Sequence, residues 1–203
     1  VFDAVAEQVA GAIHVTRLVR ELELANRKLR EISMIDGLTG IANRRCFDQR
    51  LAKAWDDQAR DGESLALLMV DVDHFKALND ALGHLHGDEC LRDIARLCSE
   101  GVRGDGDLVA RYGGEELVVL LPACALDDAV RVAEQLCGGI RGLRMSHPDS
   151  PVGPHVTVSI GVAAIHPYEG GLPQDLIGAA DRALYVAKRQ GRDRVAACAG
   201  GGA

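Results

Sequence analysis

A chain of 203 residues with 47% hydrophobic content is long enough for one domain with its own core and one further element, which argues against disorder over most of its length. A formal net charge of −7 speaks against a surface built for a nucleic-acid duplex, while leaving room for a local basic cluster that holds a nucleotide. No apolar run reaches the ~18 residues that span a bilayer, the first residues do not read as a signal peptide, and Cys46, Cys90, Cys98, Cys124, Cys137 and Cys198 lack any CxxC spacing. Reduced thiols used as small apolar residues, and a cytoplasmic location, are the expectation.

Residues 1–35 hold neither proline nor any glycine except Gly11, and Val15, Leu18, Leu22, Ala25, Leu29 and Ile32 step by three and four. That is a heptad seam, with a local shift where Val15 follows Ala12 after three residues. The expectation is a two-stranded helical stalk, because so long and narrow an apolar stripe is more than a small domain can bury; a helix packed on its own domain is the alternative. "DGLTG" (Asp36 to Gly40) breaks the pattern, so the domain proper is expected over 36–197, with a disordered tail over 198–203.

Within the domain, "NRRCFDQRLAKAWDDQA" is helical in pattern, and "SLALLMVDVD" reads as a central strand ending in Asp71 and Asp73. "FKALNDALGH" predicts a short helix and "GDECLRDIARLCSEGV" a longer one opened by Gly87 and Asp88. "DLVARYGG" and "ELVVLLPA" predict two strands joined at a Gly-Gly turn. A helix over "LDDAVRVAEQLCGGIRGL", a strand over "HVTVSIGVAAI", a helix over "PQDLIGAADRALYVAKRQ" and a last strand over "DRVAAC" complete the series. The order β-α-β-β-α-β predicts an α+β domain of the ferredoxin-like or palm type: an antiparallel sheet with helices on one face.

In that arrangement the end of the first strand approaches the hairpin turn, so Asp71 and Asp73 would converge with Glu115 and Glu116. Carboxylates crowded together repel and raise one another's pKa, a cost that a divalent cation removes, and hard oxygen ligands suit Mg2+ or Mn2+. This is the composition of a two-metal phosphoryl-transfer site. Gly113 and Gly114 would let a nucleotide lie against the backbone and let the turn rotate both acids toward one region; a plain hairpin turn with two solvated acids is the other reading. The first amides of the "FKALND" helix, near His74, Phe75 and Lys76, form an available cradle for terminal phosphates. Lys188 and Arg192, four apart, could reach one anion or serve as dipole partners of a helix C-terminus. Asn79 and Asp88 could read a purine edge or act as helix caps.

"RYGGEEL" resembles the GG(D/E)EF signature of diguanylate cyclases. "DGLTGIANRR", "DVDHFKALND", "GHLHGDECL", "SIGVA" and "ADRALYVAKRQGRDRV" resemble that family's other blocks, in order, from about Asp36 to Val195. The resemblance implies condensation of two GTP into cyclic di-GMP with release of two pyrophosphates, at the interface of a homodimer tethered through the N-terminal helix. It implies that Asp71, Glu115 and the Val72 carbonyl hold the metals, two Mg2+ or Mn2+ ions per site, and that Glu116 acts as ligand or in deprotonating the ribose 3′-hydroxyl. It further implies that Asn79 and Asp88 recognise guanine, that the Phe75 and Lys76 amides with Lys188 and Arg192 hold the β- and γ-phosphates, and that Gly113 and Gly114 give the nucleotide room. A weaker likeness of "VAEQVAGAIHVTRL" to the last helix of a GAF-type sensor suggests an upstream sensor domain.

Two departures stand out. Leu117 replaces the usual Phe at a position expected to face the core, a swap that typically costs under ~1.5 kcal/mol. The family's inhibitory Arg-x-x-Asp motif is degenerate: Asp107 is retained six positions before Gly113, but Gly104 stands in place of the Arg and Arg103 is one residue off. Feedback at that place is not expected, because the bidentate guanidinium grip is absent. The rival readings are a non-catalytic module that binds GTP or cyclic di-GMP, another palm-type nucleotidyl transferase, and a coiled-coil dimeriser, the last of which leaves the acids unexplained.

Overall fold

The computed structural model describes residues 34–102, 104, 106–168 and 170–199. The heptad stretch and residues 200–203 lie outside the described residues, while positions 198 and 199 of the expected tail belong to the last strand. Among the described residues the elements are, in order, β1 (Ala42–Asn43), α1 (Arg44–Asp61), β2 (Leu65–Val72), α2 (Phe75–Leu82), α3 (His84–Gly101), β3 (Leu108–Gly113), β4 (Glu116–Pro122), α4 (Leu126–Gly142), β5 (Val158–Ile165), α5 (Pro173–Arg189) and β6 (Arg194–Ala199).

The strands form one six-stranded sheet in the order β1-β3-β4-β2-β5-β6. Its inner four strands carry the ferredoxin-like order that the β-α-β-β-α-β series predicts. The central strand β2 is buried at all eight positions and pairs antiparallel with both β4 and β5. The sheet is mixed rather than purely antiparallel, because β1 joins β3, and β6 joins β5, in parallel.

Helices cover both faces, where one covered face was expected. Along β2, Ala66, Leu68, Val70 and Val72 pack into a core with Leu78 of α2, Ile94 of α3 and Ile140 of α4. Leu65, Leu67 and Met69 point the other way, into a second core with Phe47 and Trp55 of α1 and Leu176 and Leu184 of α5. A continuous apolar run is the signature of a strand buried on both sides, whereas a one-sided sheet would alternate. α1 and α5 close the second face, and β1 and β6 extend the sheet at its two edges.

Local chemistry sets the boundaries. Asn43 caps α1 by accepting from the Cys46 amide at 3.0 Å, and Gly62, at φ +71, ends the helix with its N–H on the Gln58 carbonyl. The helix after α2 begins at His84, three residues ahead of the Gly87–Asp88 pair, because Gly83 rather than Gly87 makes the break. Gly161 lets α5 settle directly onto β5: a Cβ there would run into the backbone of Ala180 and Leu184. Leu117 is fully buried in the first core, as a core-facing position requires. Cys90 and Cys98 are buried thiols whose burial pushes them up to about 12. Among the described residues no helix is long and apolar enough to cross a membrane.

Candidate active site

The site grows from the end of β2. Asp71 pairs directly with Glu116 across the β2–β4 ladder, so the two side chains leave the sheet on the same face, the one α5 covers. Lys188, near the end of α5, places Nζ 2.8 Å from Asp71 Oδ2. Burial raises the Asp71 carboxyl above its ordinary range, while the hydrogen bond and charge of Lys188 pull it back. Glu116 is raised as well, by burial first and then by Asp71. Glu115, in the turn, is close enough for its charge to push both acids further up.

The backbone just past Asp71 has a fixed direction. Asp73 N–H donates to the Thr157 carbonyl of the segment entering β5, at 2.9 Å. All described peptides are trans, so the Val72 carbonyl points the opposite way, toward the β4 side. There the ladder has already ended at Asp71 and Glu116.

The turn is held from behind. Arg111 donates from Nε and Nη2 to the Gly114 carbonyl at 2.9 and 2.7 Å, and its Nη1 lies 3.2 Å from Asp36 Oδ1. Burial would raise the Asp36 carboxyl, but the Thr39 hydroxyl and amide together with Arg111 hold it below the usual range. Gly114 takes φ +54, and the register shifts between Arg111 and Gly113. A Cβ on Gly113 or Gly114 would meet nothing within 4 Å, so the space over the turn is open. Sequence reasoning assigned no role to Arg111 or Asp36, although both lie in the "RYGG" and "DGLTG" blocks.

Asp73 does not join the acid cluster, contrary to expectation. It is 1% exposed and accepts from Thr157 Oγ1 at 2.8 Å, Ser159 Oγ at 2.6 Å and the Asp193 amide at 3.1 Å. Its lone pairs are spent on joining β2, β5 and the loop after α5. Arg192 lies beyond the end of α5 at Arg189, in the left-handed region at φ +64, so helical spacing does not explain its position. Its Nε is 4.0 Å from Asp73 Oδ1, and Arg141 of α4 grips the adjacent Asp193 carboxylate at 2.8–3.2 Å. Lys188 and Arg192 thus stand over two neighbouring acids. Close by, α2 starts at Phe75; its first turn closes with Leu78 N–H on the His74 carbonyl, leaving the amides of Phe75 and Lys76 ahead of the first intrahelical bond.

On the other flank, Asn79 of α2 meets Gly87 of α3 so closely that a Cβ on Gly87 would collide with the Asn79 amide oxygen. That oxygen is buried without a hydrogen-bond partner, and a buried polar atom in this state is completed by a ligand or water. Asp88 follows Gly87 and is half-buried. Elsewhere, Asp107 Oδ2 accepts from the Gly104 amide at 2.6 Å, folding this acid back onto its own loop.

Among the described residues, no group of three or more His, Cys, Asp or Glu side chains is gathered tightly enough to hold a metal ion. Lys188 instead supplies the positive charge at Asp71. The donor set nonetheless fits a hard cation: the paired carboxylates of Asp71 and Glu116, both raised, a carbonyl that the ladder does not use, and an ammonium standing where cationic charge is needed.

The family model "Diguanylate cyclase, GGDEF domain" matches residues 33–194, and the chain belongs to that family. It is 40% identical over 166 residues to the diguanylate cyclase DgcP of Pseudomonas aeruginosa, covering 82% of this chain and 24% of that protein. It is 38% identical over 188 residues to the diguanylate cyclase VdcA of Vibrio cholerae, covering 92% of this chain and 52% of that one. The chain therefore spans only part of these curated relatives. Among solved structures, the coiled coil and GGDEF domain of DgcB from Caulobacter crescentus, in complex with c-di-GMP, superposes with a TM-score of 0.74 at 31% identity, covering 95% of this chain and 98% of that one.

Proposed function

We propose that the chain condenses two GTP into cyclic di-GMP and two pyrophosphates, acting as a homodimer in which each subunit holds one GTP. The observation that carries this reading is the Asp71–Glu116 pair with Lys188 at 2.8 Å, set beside the open amides of α2. Membership of the diguanylate cyclase family supports it.

In each half-reaction a ribose 3′-oxygen attacks the α-phosphorus of the other GTP. The new P–O bond forms as the bond to the β-phosphate oxygen breaks, pyrophosphate leaves with the electron pair, and the 3′-hydroxyl proton passes to a base. Glu116 suits that role, because burial and Asp71 raise its proton affinity toward the working pH. Lys188 and Arg192, with the Phe75 and Lys76 amides, bind the β- and γ-phosphates and offset the charge that builds on the leaving group. Asn79 and Asp88 bind the guanine, and Gly113 and Gly114 leave room for the nucleotide.

Two Mg2+ or Mn2+ ions per site would be held by the carboxylates of Asp71, Glu115 and Glu116 and the Val72 carbonyl, supplying Lewis-acid charge at the reacting phosphate. One subunit cannot present both reacting nucleotides, so tethering raises the rate by raising the effective concentration of the second site. Residues 1–35 are assigned that tether, an upstream sensor its control, and the cytoplasm its location.

The test incubates purified protein with Mg2+ and GTP, identifies products by mass, and repeats this with Glu116→Gln and with residues 1–35 deleted. Cyclic di-GMP from the wild type, lost in Glu116→Gln, is expected. GTP binding without product at high protein concentration would instead make the chain a binding module, and full activity at low concentration after the deletion would remove the tether from the account.

A further inference from the structure

Between α4 and β5 the chain makes a narrow excursion closed by a bridge between Ser146 and His155, by Val156 N–H on the Met145 carbonyl at 2.8 Å and by His147 N–H on the Pro154 carbonyl at 3.0 Å. This excursion carries His147, which is 0% exposed and has no part in the chemistry above. Its Nε2 lies 3.2 Å from the backbone carbonyl oxygen of His74. A carbonyl only accepts, so this contact assigns the proton to Nε2. Nδ1 is buried with no hydrogen-bond partner. Burying an imidazole with one nitrogen unsatisfied is unfavourable, so an apolar side chain of similar size would fill the space at lower cost. What the histidine adds is its one donor.

That donor goes to a particular carbonyl. His74 turns the chain from the end of β2 into α2 at φ +54 and ψ +33, a left-handed conformation unusual for a residue with a side chain, and its own side chain makes no capping bond. The same carbonyl accepts from Leu78 N–H at 3.1 Å and so closes the first turn of α2. With His147 it has two donors, one from its own helix and one from across the fold. The next two residues, Phe75 and Lys76, own the amides assigned to the terminal phosphates of GTP. A rotation of the His74–Phe75 peptide would re-aim the Phe75 amide directly, and a shift of the turn would carry the Lys76 amide with it.

We propose that His147 is a positioning residue for the pyrophosphate end of the nucleotide: by holding the His74 carbonyl it fixes the strained turn that points the Phe75 and Lys76 amides at the phosphates. The inference rests on the GTP reading given above. It predicts an effect confined to the phosphates, because Asn79 and Asp88, which take the base, lie farther along α2 and on α3.

The test measures binding of 3′-deoxy-GTP, which lacks the attacking hydroxyl, and of GMP, to the full chain in Mg2+ by calorimetry. Steady-state kinetics with GTP run alongside. Loss of one neutral hydrogen bond predicts that His147→Leu binds 3′-deoxy-GTP roughly three- to tenfold more weakly, with KM for GTP rising in step, kcat changing less, and GMP affinity unchanged within about twofold. His147→Gln, whose amide nitrogen reaches the place of Nε2, restores the wild-type values. If His147→Leu does not fold, Gln and Asn carry the comparison, since Asn reaches only as far as Nδ1; Gln is then expected to bind the triphosphate at least about threefold more tightly. Equal affinities in that comparison, or a Leu variant that binds both nucleotides like the wild type or loses both alike, overturn the assignment while leaving the GTP reading intact. A wild-type protein that binds neither nucleotide overturns the GTP reading and this inference with it.

Discussion

Lys188 of α5 reaches Asp71 at the end of β2, Nζ to Oδ2 at 2.8 Å, so an ammonium sits against a buried acid of the site. The contact gives Lys188 a hold on the proton affinity of Asp71, beside the role on a phosphate proposed for it. Lys188→Met should lower activity roughly tenfold or more. Because Lys188 holds the Asp71 pKa down against burial, its loss lets that pKa rise further, and the acidic limb of the pH–activity profile should move to higher pH. An unmoved limb in a pH–rate series would separate the phosphate role from the electrostatic one.

Glu116→Gln should lose activity by about 10²–10⁴-fold, the usual contribution of a general base, and gain stability. The folded-state pKa of Glu116 lies above its ordinary value, so the charged form is disfavoured in the fold at any pH above that raised pKa. The neutral amide removes this penalty. Thermal melts should show the variant more stable than wild type at neutral and alkaline pH, with the gain fading as pH falls through the raised pKa and the wild-type carboxyl itself becomes neutral.

Gly87→Ala should alter recognition more than stability. The new methyl would collide with the end of the Asn79 side chain, a flexible group that can swing aside. Unfolding free energy is expected to change by less than about 1 kcal/mol, while KM for GTP rises and the preference for GTP over ATP narrows. A competition assay between the two nucleotides reads this directly.

Asp73→Asn should destabilise the fold by about 2–4 kcal/mol, because an amide NH2 would face donors that now share a buried carboxylate. Urea unfolding should show a lower midpoint with an unchanged slope. Retention of wild-type stability would mean that the Thr157 and Ser159 hydroxyls find other acceptors.

Asp107→Ala should leave the response to product unchanged. Asp107 is engaged with its own loop through Gly104, and no arginine stands at position 104 to complete a phosphate grip. Product titrations on the two proteins should give superimposable inhibition curves; relief of inhibition in the variant would show that Asp107 binds product without that partner.

Much was legible in the linear chain. An uninterrupted apolar run is enough to announce β2 as a central strand, and two glycines between β-branched segments are enough to announce the β3–β4 hairpin, because burial and turn geometry are properties of a local stretch. Asp71, Glu115 and Glu116 could be grouped for the same reason, as acids at adjacent ends of strands that topology makes neighbours. Tertiary structure decided the rest. It put helices on both faces, turned Asp73 inward as a buried hub, brought Arg111 to Asp36 across 75 positions of sequence, and carried Arg192 round a left-handed turn to stand over Asp73. It also buried His147 against the His74 carbonyl, a contact between segments 73 residues apart. Periodicity reports how deeply a residue is buried but not what it meets there, since each meeting depends on strand order, crossover side and backbone turns that only the assembled chain possesses.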